Sequence, residues 1–99
     1  AASWQDDRWI VYQHHNETLL VWRLHFSSAN GATSFVQALT DYTAARFHTT
    51  LKAQLRVDWS TTGYAVSVRQ RDGDVAVAMG SDKDLLNQCG RALKTLGFS

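Results

Sequence analysis

Ninety-nine residues, 44% hydrophobic and 19% charged, make one ordinary globular domain with room for a core that needs no staples. A formal charge of +1 gives no long-range field to steer the chain toward nucleic acid or an acidic membrane surface, and no apolar run approaches the length of a membrane span. Cys89 is the only cysteine, so no internal disulfide can form, and with no proline the chain carries no proline-rich linker. It begins Ala-Ala-Ser, which reads as a processed product or as one domain of a longer protein.

Taken in order, Ala1 to Asp7 is a possible N-terminal arm carrying Trp4, and a first strand starts at Arg8 with Trp-Ile-Val-Tyr-Gln-His. His14-His15-Asn16-Glu17 is a polar turn, too short for a parallel crossover, so the next strand pairs antiparallel with the first. That second strand, Thr18 to Phe26, is the longest apolar-rich run. Its alternation puts Leu20, Trp22, Leu24 and Phe26 toward the core and Leu19, Val21, Arg23 and His25 on the opposite face. The period then changes. Ser27 or Ser28 is the N-cap of a helix whose face is Ala32, Phe35, Val36, Leu39, Tyr42, Thr43 and Arg46, fraying near Phe47 to Thr50.

Alternation returns at Leu55, Val57 and Trp59, and again at Tyr64, Val66 and Val68 after the turn Ser60 to Gly63. Asp72-Gly73 signals a tight hairpin, answered by Val75, Val77 and Met79. The last helix has Ser81 as its expected N-cap, with Asp84 completing a capping box. Its stripe is Leu85, Leu86, Cys89, Ala92, Leu93 and Leu96, and Gly97-Phe98 is a stop of the Schellman kind. The order is ββαβββα, and the simplest architecture is an α+β fold, residues 1–99 forming one antiparallel sheet with two helices packed on one face.

That architecture leaves a second sheet face open, carrying Arg23, His25, Arg56, Ser67 and Arg69 among small residues such as Ala65, Ala76 and Ala78. Arginine forks bind carboxylates, so this face, or the arm from Trp4 to Trp9, is the expected contact surface for an acidic segment or a neighbouring domain. Single-strand RNA readers place aromatic platforms on such a face, and here the aromatics have the other parity, so no nucleic acid is expected.

Four histidines raise a metal reading, but His14 and His15 are adjacent and point to opposite faces of a strand. No His-x-x-x-His or Cys-x-x-Cys spacing joins them, so neither metal nor cofactor is expected. Cys89, on the apolar stripe of the last helix, reads as a small buried hydrophobe with a raised pKa rather than a nucleophile. Asp6 and Asp7 beside Arg8 read as an ion pair, and no base is spaced to make them catalytic.

The pattern Trp4-x-x-Asp7-Arg8, Tyr12, Val21-Trp22-Arg23-x-x-Phe26-Ser27 and Ala32 with Phe35 resembles that of small α/β domains in bacterial and archaeal exported or surface proteins. Some of those domains are joined to domains of zinc-metallopeptidase type. Gln5 and Asp6 stand where glycines are usual in that pattern, and Phe26-Ser27 where Trp-Asp is usual. The resemblance implies an exported, non-catalytic domain, periplasmic, secreted or on the cell surface. The chain itself has no His-Glu-x-x-His. The expectation is therefore a non-enzymatic accessory or protein-interaction domain. The alternative is a small enzyme or metal-binding protein using His14, His15, His25 or Asp7, and a cytoplasmic location stays open beside the exported one.

Overall fold

The computed structural model describes residues 4–14 and 16–98, with side chains from residue 10 onward except that of His14. A five-stranded antiparallel sheet runs in the order β1-β2-β5-β4-β3, with β1 at Trp4–His14, β2 at Glu17–Phe26, β3 at Arg56–Thr61, β4 at Tyr64–Arg71 and β5 at Asp74–Gly80. Helix α1 spans Ala29–Arg46, and a short 3-10 turn, Lys83–Leu85, leads into helix α2 at Leu86–Thr95. This is an α+β fold in the expected order ββαβββα.

The placement of the helices differs from the expectation that both pack on one face. Leu24, Phe26, Val66, Val68, Val75 and Val77 pack with Ala32 and Val36 of α1. On the other face Val21, Ala65, Ala76 and Ala78 pack with Cys89 and Leu93 of α2 and with Phe98. The helices therefore sandwich the sheet. The cause lies in β4 and β5: the valines of β5 alternate with Ala76 and Ala78 and those of β4 with Ala65 and Ser67, so the second face of the central strands is small-chained and largely apolar and is covered as well. The alanines present no bulk, and α2 settles directly on them; Ala65, Ala76 and Ala78 have no solvent exposure.

Alpha1 starts where its cap allows. Ser28 has extended backbone angles and its Oγ accepts the amide of Gly31 at 3.1 Å, satisfying one donor of the first turn. Its buried line is Ala32, Val36, Thr40 and Thr43, while Tyr42, expected on that face, is exposed. The two threonines are tolerated inside because each hydroxyl donates back to the carbonyl four residues earlier, Thr40 to Val36 at 2.7 Å and Thr43 to Leu39 at 2.9 Å. Gln70 of β4 clips the helix start to the sheet, its Nε2 donating to Thr33 Oγ1 at 3.0 Å. Beyond α1, Phe47 stacks on Tyr64 with centroids 4.7 Å apart and lies 5.4 Å from Trp59, closing the far end of this core.

At the start of α2 the expected capping box does not form. Asp82 caps the 3-10 turn by accepting the amide of Asp84 at 3.2 Å. Ser81 Oγ instead accepts the amide of Thr18 at 2.8 Å, tying the end of β5 to the start of β2. The stop is the expected one. Gly97 has φ +92°, Phe98 N donates to Leu93 O at 2.9 Å and Gly97 N to Lys94 O at 3.0 Å, the paired bonds of a Schellman turn. At the β4–β5 hairpin only Asp72 takes a positive φ, +53°. Gly73 is needed there for space, since an added Cβ would lie 2.6 Å from the Phe26 carbonyl oxygen.

Strand β1 begins earlier than the expected Arg8. Trp4 pairs with Phe26 and Asp7 with Leu24 across an irregularity between Trp4 and Asp6, because β2 is long enough to offer the whole arm a ladder. Residues 4–7 are thus strand.

Candidate functional site

Two surfaces carry the residues that matter, and both adjoin α2. One is an arginine cleft of about 310 Å³ at the paired ends of β3 and β4, lined by Leu55, Arg56, Arg69, Arg71, Gly97 and Phe98. Two of these arginines, Arg56 and Arg69, share Asp58 as acceptor. The period of two along β3 and β4 puts Asp58 opposite Ser67 and Arg56 opposite Arg69, all on the α2 side. Ser67 Oγ donates to Asp58 Oδ1 at 2.7 Å, Arg69 Nη2 to the same oxygen at 2.9 Å, and Arg56 Nε to Oδ2 at 3.1 Å. Burial alone would raise the Asp58 pKa, but the hydrogen bonds from Ser67, Arg69 and Arg56 outweigh it and hold the carboxyl below the usual aspartate value.

Arg69 and Ser67 do not stand on an open face. Arg69 is 5% exposed and Ser67 has no exposure, because α2 lies across them, with Gly90 near the Arg69 guanidinium. Arg69 Nη1 donates to the carbonyls of Val68 at 2.9 Å and Val57 at 3.3 Å, and its Nε is buried without a hydrogen bond. The expected contact set is corrected accordingly: Arg69 lies at the floor of the cleft, Ser67 is sealed under α2, and neither can meet a partner across a flat sheet.

Arg56 and Arg23 remain exposed. Arg23 lies 5.9 Å from the centroid of the Phe98 ring, and Arg71 approaches the same ring at 5.0 Å while donating to the Gly97 carbonyl. His25 stands apart from the cleft, its Nδ1 2.7 Å from Asp74 Oδ1, both groups substantially exposed. The side chains of Trp4 and Trp9 lie outside the described residues, as do His15 and the side chains of Asp7 and His14. Arg71 was absent from the sequence expectation, although it has the parity of Arg69 two residues on. Phe98 was foreseen only as part of a helix stop.

The second surface is the outer edge of β1. The strand order leaves it at the end of the sheet, while α1 packs chiefly over β2, β4 and β5 and α2 over β2 to β5, so that α2 only borders β1. Ile10, Val11 and Tyr12 are 46%, 48% and 52% exposed. Their pairing with Val21, Leu20 and Leu19 sends Ile10 and Tyr12 to the α2 side and Val11 to the α1 side. On the α2 side Ile10, Tyr12, Leu19, Val21, Arg91 and Leu96 line a groove of about 210 Å³.

Cys89 belongs to neither surface. It has no exposure, and burial pushes its thiol up to about 11. Among the described residues no three of His, Cys, Asp and Glu gather closely enough to hold a metal ion, and no helix is long and apolar enough to cross a membrane.

Residues 1–89 match the model of a family described as a domain of unknown function, DUF8575. The chain belongs to this family. The DUF8575 match takes in all five strands and α1 and ends inside α2, so Gly97 and Phe98 of the cleft lie beyond it. No curated protein and no solved structure matches the chain.

Proposed function

We propose that this domain is a non-catalytic interaction module of an exported bacterial protein, and that it binds an extended segment of a protein partner along the outer edge of β1. The observation that carries this reading is the edge itself: an 11-residue terminal strand with Ile10, Val11 and Tyr12 about half exposed on its two faces. A terminal strand presents a row of backbone donors and acceptors on its outer side, and proteins ordinarily blunt such edges with short length, charge or cover. At the other end of this sheet β3 is short, at six residues, as that rule leads one to expect. Beta1 is long, and after Asp6, Asp7 and Arg8 it carries the apolar run Trp9 to Tyr12.

A strand added there gains main-chain hydrogen bonds, and the groove beside Ile10 and Tyr12 accepts an alternate apolar side chain of the incoming segment. The export part of the proposal is supported by the resemblance of the N-terminal pattern to that of exported and surface domains. The non-catalytic reading is supported beside the arginine cleft, where Asp58 accepts from three donors that favour its ionised form and so is a poor general acid.

Photo-crosslinking tests this reading. With p-benzoylphenylalanine replacing Tyr12, ultraviolet light in the native host should give one dominant adduct to a protein of the exported fraction, lost when Ile10 and Val11 are both changed to lysine. The same reporter replacing Tyr42, more accessible on α1 at 61% exposure, should give none of that adduct. Equal adducts from both positions would overturn the proposal, and an adduct only to a second copy would replace the foreign partner with self-association.

A further inference from the structure

We propose that the arginine cleft is a binding site for a carboxylate carried on an apolar stem, independent of the β1 edge. Three guanidinium groups, Arg56, Arg69 and Arg71, line one cleft, and the carboxylate that answers them is Asp58. Arg69 and Asp58 neutralise each other at the floor, leaving Arg56 and Arg71 as a surplus of positive charge at the mouth. Neither is consumed by its present contacts. Arg56 uses only Nε, on Asp58, and among the described residues its Nη groups have no acceptor; its side chain is 65% exposed. Arg71 uses Nη2, on the Gly97 carbonyl, and its guanidinium is held against the Phe98 ring. A guanidinium has five donors in a fixed fork, so each keeps a pair of N–H groups for an incoming oxyanion.

The floor is built in a way a solvated arginine surface is not. Arg69 is more than nine-tenths buried, its Nε has no hydrogen bond, and its charge is locked under α2. Its charge is answered by Asp58, so the floor supplies a fixed shape and an Nε–H without an acceptor, and the surplus charge at the mouth is that of Arg56 and Arg71. The walls decide the class of anion. Leu55, 66% exposed at the rim, offers apolar surface beside the forks, and the edge of Phe98, only 5% exposed, closes the back. An inorganic oxyanion would leave that surface wet; an organic acid with a branched or aliphatic body would cover it. A volume of about 310 Å³ suits one amino-acid-sized group.

That chemistry has two sources, a free small acid or the C-terminal carboxylate of a peptide ending in an apolar residue. The probes are therefore N-acetyl-leucine, its amide, a tetrapeptide ending in leucine with a free or amidated terminus, and inorganic phosphate, each titrated into the 99-residue chain by two-dimensional NMR. N-acetyl-leucine should bind saturably, shifting the amides of Gln70, Arg71, Gly97 and Phe98, and the amide should not. The free-ended tetrapeptide binding more tightly than N-acetyl-leucine assigns the site to chain termini; equal affinity assigns it to small acids. Arg56→Gln or Arg71→Gln should each weaken binding by about tenfold, the worth of one charge-assisted hydrogen bond. Both positions are exposed, and an unchanged spectrum elsewhere would show the fold intact.

Binding of the amides as tightly as of the acids, phosphate binding at least as tightly as N-acetyl-leucine, shifts away from the cleft, or no saturation would each overturn the proposal. Ile10→Lys and Val11→Lys should leave this titration unchanged, so its outcome and that of the β1 experiment are separable.

Discussion

Changing Asp58 to asparagine removes one charge and almost no volume, and it should cost far more than a surface substitution. Arg69 would stay under α2 at 7% side-chain exposure with no opposite charge, while Ser67 and Arg56 would lose a charged acceptor. Breaking a fully buried ion pair costs about 3–5 kcal/mol, and a hydrogen bond to a charged group is worth about 1.5–3 kcal/mol. Asp58 retains 32% side-chain exposure, so water screens part of the interaction and compensates part of the loss. The expected cost is about 2–3 kcal/mol at neutral pH, between the buried and surface limits.

Urea melts of the two proteins read it directly, as a shift of midpoint with an unchanged slope. Replacing Arg69 with methionine in the Asp58→Asn background should restore much of the loss, because no stranded charge then remains. The pH dependence has a definite sign. The carboxyl of Asp58 is held below its unfolded value, so its contribution is fully present above about pH 4 and disappears as pH falls through the lower folded value. Asp58→Asn should therefore flatten the acid limb of the stability curve. A midpoint change worth less than about 0.5 kcal/mol, the level of an ordinary surface substitution, would refute the reasoning, as would an unchanged acid limb.

Ala76→Leu should destabilise by about 1–3 kcal/mol, since the extra carbons would drive into Cys89 and Leu93 of α2, and a urea melt close to wild type would return α2 to the other face. Cys89, buried and with its thiol pushed up to about 11, should react with a disulfide reagent far more slowly in buffer than in denaturant; equal rates would mean that α2 does not seal it. Zinc should bind weakly, because His25 is engaged with Asp74 and no described cluster of ligands completes a site; a stoichiometric submicromolar affinity by calorimetry would revive the histidine reading.

The element order was legible because each element announces its own period. Thr18 to Phe26 alternates with strand spacing, Ser28 caps where helical spacing begins, and Gly97-Phe98 ends α2 with the bonds the sequence implies. The side of the sheet taken by α2 was less legible. Ala65, Ser67, Ala76 and Ala78 look like an empty polar-tolerant face, yet behind Val66, Val68, Val75 and Val77 they give the central strands a second face of small, fully buried side chains. Arg69 completes the misreading: an arginine suggests solvent, and its burial depends on Asp58, which β3 delivers only once the strand register is known. Arg71 was recoverable from the period of two. That the Phe98 ring would serve it was not, because this contact depends on how α2 lies across the sheet. The exposed edge of β1 depends likewise on strand order, which puts β5 and not β1 beside the inner edge of β2.

The central claim, that β1 takes up a strand from a partner, is tested most directly by amide hydrogen exchange. The domain is compared alone and with the protein captured from position 12. Strand addition predicts that amides of β1 on the side away from β2 slow by at least about tenfold, as new main-chain hydrogen bonds close them, while amides of α1 keep their rates. Binding with unchanged exchange along β1, or protection confined to α1, would contradict it.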